Sequence, residues 1–194
     1  MAEPRSPINL PDPPLSDGVI TLRPWTQPDI PALVKMCNDP QSVRFTTVPT
    51  PYTATDAEDW LATHAINLAA GESASFAVVD QPSEPPIASI GLHLLDSSAV
   101  TGAAEVGYMT APPARGRGVM TRAVGLICEW AFQGLAIERV QLTTHLDNPA
   151  SQRVAAKCGF AREGVLRRYG VQRGERVDLV MYSRLASDRS GNQR

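Results

Sequence analysis

Pro112-Pro113-Ala114-Arg115-Gly116-Arg117-Gly118-Val119-Met120-Thr121 separates a strand-like stretch, Ala103 to Thr110, from one in which Met120, Ala123, Val124, Ile127, Trp130 and Ala131 recur at helical spacing. The quoted segment is therefore read as a strand-to-helix turn. A helix start presents backbone N–H groups without intrahelical partners and the positive end of the helix dipole. Glycines let a phosphate approach that backbone, and arginines add charge. No Gly-Lys-Ser/Thr follows and the three-glycine dinucleotide spacing is absent, which excludes those two phosphate loops. Taken alone, the segment fits a pyrophosphate cradle or a plain connection.

Upstream, Val19 to Leu22 has strand composition, and Thr26, Pro28 and Asp29 form a helix start before Ile30, Leu33, Val34 and Cys37. A second helix is predicted from about Thr55 to Ala70, stopped by Gly71. Three strands follow, Ser75 to Val79, Ile87 to Leu95 and Ala103 to Thr110. Downstream of the turn, Gly134 ends a helix and Val140 to Thr144 is a strand. Asn148 and Pro149 start a short helix that runs to about Cys158. A hairpin with arms Ala161 to Val171 and Arg176 to Leu185 closes the chain.

The length of 194 residues, with 43% hydrophobic and 20% charged, fits one folded domain and excludes the composition of a disordered chain. Pro4, Pro7, Pro11, Pro13 and Pro14 mark residues 1–17 as an extended, mobile tail. The domain is expected over 18–186, with a polar tail over 187–194. A net charge of -2 without a concentrated basic run argues against nucleic acid as a partner. Cys37, Cys128 and Cys158, odd in number and widely spaced, suit a reducing compartment better than a disulfide framework. The histidines form no close pair, so no metal is expected. No signal-peptide pattern or membrane-length apolar run is seen, and the chain is expected in the cytoplasm without membrane attachment.

Arg115-Gly116-Arg117-Gly118 before an amphipathic helix resembles the Gln/Arg-x-x-Gly-x-Gly/Ala motif with which GNAT acetyltransferases hold the pyrophosphate of coenzyme A. Glu105-Val106-Gly107-Tyr108, Asn148-Pro149-Ala150-Ser151, Lys157-Cys158-Gly159-Phe160 and Asp178 to Ser183 resemble the branch containing the RimJ/RimL-like ribosomal-protein N-terminal acetyltransferases. The resemblance spans roughly Gly18 to Leu185. It implies an α/β fold with a mixed sheet of about seven strands, splayed between two parallel strands, and about four helices. By the same resemblance the splayed strands are Glu105 to Thr110 and Val140 to His145, and acetyl-CoA is the acyl donor for an amine acceptor, a peptide N-terminus or a small molecule. The resemblance also allows a homodimer. Met120 departs from the motif by standing where Gly or Ala is usual.

The residues that match the donor site are Tyr108, Met109, Thr110, Arg115, Gly116, Arg117, Gly118, Val119, Met120, Thr121, Asn148, Ser151 and Lys157. Glu105 matches a glutamate that serves as base in some members, and reads otherwise as an ion-paired strand residue. Ser151 is the candidate aid to thiolate departure, since the helix tyrosine used by many members is Ala155 here. The second glutamate of the ribosomal-protein enzymes matches Gly170. A competing reading is a coenzyme A-binding sensor that kept the fold without catalysis.

Overall fold

Period-two alternation places Ala74, Phe76 and Val78 on one side of a strand and Ala77 on the other, and the two sides join different apolar clusters. The computed structural model describes residues 6–81, 84–97 and 100–191. In chain order its elements are β1 (Leu15–Ser16), β2 (Thr21–Arg23), α1 (Ile30–Cys37), α2 (Pro40–Phe45), α3 (Ala54–Ala69), β3 (Ser73–Val79) and β4 (Ala88–Ser97). Then come β5 (Val100–Thr110), α4 (Val119–Gly134), β6 (Arg139–His145), α5 (Pro149–Lys157), β7 (Ala161–Gln172) and β8 (Glu175–Leu185). One sheet has the order β1-β2-β3-β4-β5-β6-β8-β7, and every neighbouring pair is antiparallel except β5 with β6.

The mixed α/β domain matches the expectation, with one more strand and one more helix. The added strand, β1, lies in the segment expected as a mobile tail. Residues 6–17 are largely extended but anchored: Ile8 is buried, its N–H donates to the Leu68 carbonyl at 3.0 Å, and Leu10 and Leu15 pack on the core. Apolar residues between the prolines give this segment something to bury. Residues 1–5 of the expected tail lie outside the described residues. The added helix, α2, has Asp39 as N-cap, accepting from the N–H groups of Gln41 and Ser42, and Pro40 in its first turn. Of the expected C-terminal tail, Ala186–Gly191 forms a short 3-10 helix, and residues 192–194 lie outside the described residues.

The sheet is covered on both faces, which is why every residue of β3 is buried. On one face α4 contributes Ala123, Val124, Ile127 and Ala131, and Trp130 meets Phe76 edge-on at 5.4 Å. Burying a side chain such as Phe76 stabilises by about 1.5–3 kcal/mol. On the other face α1 and α3 contribute Leu33, Met36 and Ala57, with Trp25 edge-on to Trp60 at 5.8 Å. Among the described residues no helix is long and apolar enough to cross a membrane.

Arg139 on β6 donates to both oxygens of Glu163 on β7 at 2.7 and 2.6 Å, and the Ser183 hydroxyl of β8 donates at 2.7 Å. The Arg139 hydrogen bonds, then that of Ser183, bring the Glu163 carboxyl from 4.5 down to about 2. Because the folded-state value is depressed, this contribution is present above pH 4.5 and is lost as pH falls towards about 2. Calorimetric scans should therefore show Glu163→Gln melting below wild type at neutral pH, with the two melting temperatures converging across that acidic window.

Candidate active site

The parallel pairing of β5 and β6 covers Ala103 with Arg139, Ala104 with Val140 and Glu105 with Gln141, and then stops. β5 continues to Thr110, held on its far side by β4 as far as Ala88 opposite Thr110. β6 continues to His145, held by β8 as far as Leu179. The two strands diverge because each follows its outer neighbour. A cavity of 730 Å³ occupies the wedge, and its lining includes Tyr108 and Thr110 of β5, Thr143 of β6, Gly116 and Gly118 of the turn, and Ser151 of α5. The splay expected between Glu105 to Thr110 and Val140 to His145 is therefore present.

At the turn, Gly116 and Gly118 have φ of 74° and 79°, the left-handed region in which glycine carries no steric cost. α4 starts at Val119, and its first bond that reaches back to the turn runs from the Arg122 N–H to the Gly118 carbonyl at 3.1 Å. The N–H groups of Val119, Met120 and Thr121 precede it and have no intrahelical acceptor. Met120 is 5% exposed and packs in the core, so the departure from the motif does not place its side chain over the glycines.

The turn's arginines are engaged elsewhere. Arg115 donates through Nε to the Thr110 carbonyl at 3.1 Å, and its two terminal nitrogens hold Asp39, the N-cap of α2. Arg117 pairs with Asp80 at 3.2 Å, and Arg122 with Asp17 at 2.7 Å. Desolvation opposes ionisation of Asp39, yet Arg115 and the N–H groups it caps hold its carboxyl below the usual value.

Glu105 alternates with Ala104 and Val106, which join the α4-side cluster, so its carboxylate faces the opposite side of the sheet. Gln141 and Thr143 alternate in the same way with Val140 and Leu142. The three side chains meet: Thr143 Oγ1 donates to Glu105 Oε1 at 2.5 Å and Gln141 Nε2 to Oε2 at 3.3 Å. The carboxylate is half-buried and lines the cavity where the strand pairing ends. On the α4 side, Tyr108 Oη lies 2.8 Å from Ser151 Oγ, and Asn148 Oδ1 accepts from the Ser151 N–H at 3.1 Å. Burial pushes the Tyr108 phenol well above its ordinary value, so it remains a neutral hydroxyl beside Ser151.

A family model described as an acetyltransferase (GNAT) domain matches residues 20–161. The chain belongs to the GNAT acetyltransferase family. It is an acetyl-CoA-dependent N-acetyltransferase. It is 25% identical to the uncharacterized N-acetyltransferase p20 of Bacillus licheniformis over 173 residues, 89% of this chain and 96% of that protein. The fold is shared with Mycobacterium smegmatis RimJ in complex with CoA-disulfide, at a TM-score of 0.79 and 19% identity over 90% of this chain and 87% of that one. It is shared also with the microcin C7 self-immunity acetyltransferase MccE in complex with acetyl-CoA and AMP, at 0.77 and 21% identity over 88% and 93%.

In this acetyltransferase Glu105, Tyr108, Met109, Thr110, Arg115, Gly116, Gly118, Val119, Met120, Thr121, Asn148, Ser151 and Lys157 all line the one cavity. Arg117 does not; it is exposed and faces Asp80. Arg153 of α5 and Thr143 line it too and were not anticipated, and Phe45 of α2 also contributes. The Asp39-Pro40 helix start was a legible signal for α2, whereas nothing local in the sequence marks Arg153 or Thr143.

Free N–H groups at a glycine turn and an open strand edge suit a pyrophosphate joined to an amide-bearing arm, so the residues present fit the donor.

Proposed function

We propose that the wedge receives acetyl-CoA and that the enzyme acetylates a primary amine, either a protein N-terminal α-amine or a small-molecule amine, with Glu105 as the base. The observation that carries this reading is the Glu105 carboxylate, aimed into the cavity at the apex of the splay by Thr143 and Gln141. Acetyl-CoA supplies the activated thioester. The Gly116 to Thr121 backbone, with Lys157 and Asn148, holds its phosphates and arm, and the edges of Tyr108, Met109 and Thr110 align it.

An acceptor attacks only as the neutral amine. A reference value of about 10.4 leaves a lysine mostly protonated, whereas an α-amine near 7.7–8.0 needs less help. Glu105 takes that proton directly or through one water. Ser151, whose hydroxyl is paired with that of Tyr108, offers a hydrogen bond to the departing sulfur. Calorimetric titration with acetyl-CoA, followed by release of free CoA in the presence of peptide N-termini and small amines, tests the reading. Binding without release for any amine would instead favour a coenzyme A sensor.

Arg115 contributes less to the donor than its place in the motif suggests, because a phosphate must compete with Asp39 for its guanidinium. Arg115→Ala should weaken acetyl-CoA binding only about threefold, the scale of a partly exposed ion pair. Titration of the variant checks this.

A further inference from the structure

On the Glu105 side of the sheet the cavity extends into a chamber between α2 and the β7–β8 hairpin. Phe45 comes from α2, and Val171, Val177 and Leu179 from the hairpin. The hairpin is fastened to α2 and the residues after it through main-chain carbonyls. Gln172 Nε2 donates to the carbonyl of Arg44 and, at 3.1 Å, to that of Thr46, while Arg173 donates to that of Val43 at 2.9 Å. Gly170 sits where a Cβ would come within 3.0 Å of Val177 and 3.2 Å of Leu179, so this wall is already close-packed without a side chain there.

The charge of the lining is lopsided. Glu105 is its one carboxylate among the described residues, whereas Arg115, Arg153 and Lys157 line the donor part of the same cavity. An ammonium removed from water without a carboxylate or hydrogen-bond partner is strongly disfavoured. Each further cationic centre of a polyamine would enter this chamber without a second carboxylate to meet it. The apolar side chains of Phe45, Val177 and Leu179 instead favour a hydrocarbon group beside the amine.

We propose that the acceptor is a monoamine whose single ammonium approaches Glu105 while an uncharged apolar substituent rests on Phe45, Val177 and Leu179. This rests on reading the cavity as the acetyl-transfer site, and it sets polyamines and polycationic aminoglycosides outside the substrate range.

The test separates binding from transfer. Protein saturated with CoA is titrated in a calorimeter with leucine amide, a monoamine, and with spermidine, a polycation. Leucine amide is expected to bind at least about tenfold more tightly. Val177→Asp adds a second acid to the wall and is expected to improve spermidine affinity by about tenfold and to erode the preference. The melting temperature of the variant reports whether it folds, and if it does not, the wild-type comparison decides alone. Spermidine binding as tightly as leucine amide, or neither amine binding the CoA complex, overturns the proposal. CoA release from acetyl-CoA is followed separately: selective binding without release counts against the transfer reading and upholds the acceptor class.

Discussion

Glu105→Gln is expected to leave acetyl-CoA affinity unchanged and to lower kcat/KM for an α-amine acceptor by about 10²–10⁴-fold, the range of a positioned general base. Glutamine is nearly isosteric, and its amide oxygen can still accept from Thr143, so the apex of the wedge should keep its shape. What it loses is the capacity to take a proton. The deficit should narrow at alkaline pH, where the acceptor is already neutral in solution, and this separates a missing base from a damaged site. A turnover equal to wild type across the pH range would remove Glu105 from the chemistry and leave its two hydrogen bonds as strand pairing alone.

Gly118→Asp should lower acetyl-CoA affinity by about 100-fold, equal to about 2.7 kcal/mol, within the roughly 4 kcal/mol between unit charges 4 Å apart near a protein surface. Gly118 precedes α4 with φ of 79°, and nothing lies within 4 Å of where its Cβ would project. A φ of 79° strains any side chain, but aspartate tolerates the left-handed region better than most residues, so the fold should accept it at a modest cost in stability. Its carboxylate would stand where the free N–H groups of Val119, Met120 and Thr121 are held open for a phosphate. A melting temperature lowered by only a few degrees, with a much larger loss of affinity, is the expected pair of results. Retained affinity would move the pyrophosphate away from this turn.

The order of the principal elements was legible because each signal is local. Asn148-Pro149 starts α5 and Gly159, with φ of 76°, ends it; Arg173-Gly174 turns the last hairpin. α2 carried an equally local signal in Asp39-Pro40 that the helical period, over only six residues, was too short to reinforce. β1 consists of two residues and forms only because β2 offers it an edge, which no local rule reveals.

The face of Glu105 was beyond reach of the sequence, since a one-residue slip reverses it, and it is set by the parallel register with Gln141. The pairing of Arg115 with Asp39 joins residues 76 positions apart. The motif thus falls at a strand-to-helix turn, as read from the sequence, while the turn's backbone rather than its arginines is what stands free.

The early end of the β5–β6 ladder has a further consequence. Unpaired strand edges normally lie at the rim of a sheet, where another chain can add to them and start aggregation. Here the unfinished edge lies in the middle of the sheet, and residues of α5 and the β7–β8 hairpin line the space beside it. A slender molecule that completes the missing hydrogen bonds would bind the folded chain and not the unfolded one, raising its stability by mass action. The lifetime of this protein in the cell would then rise and fall with the supply of its own acyl donor.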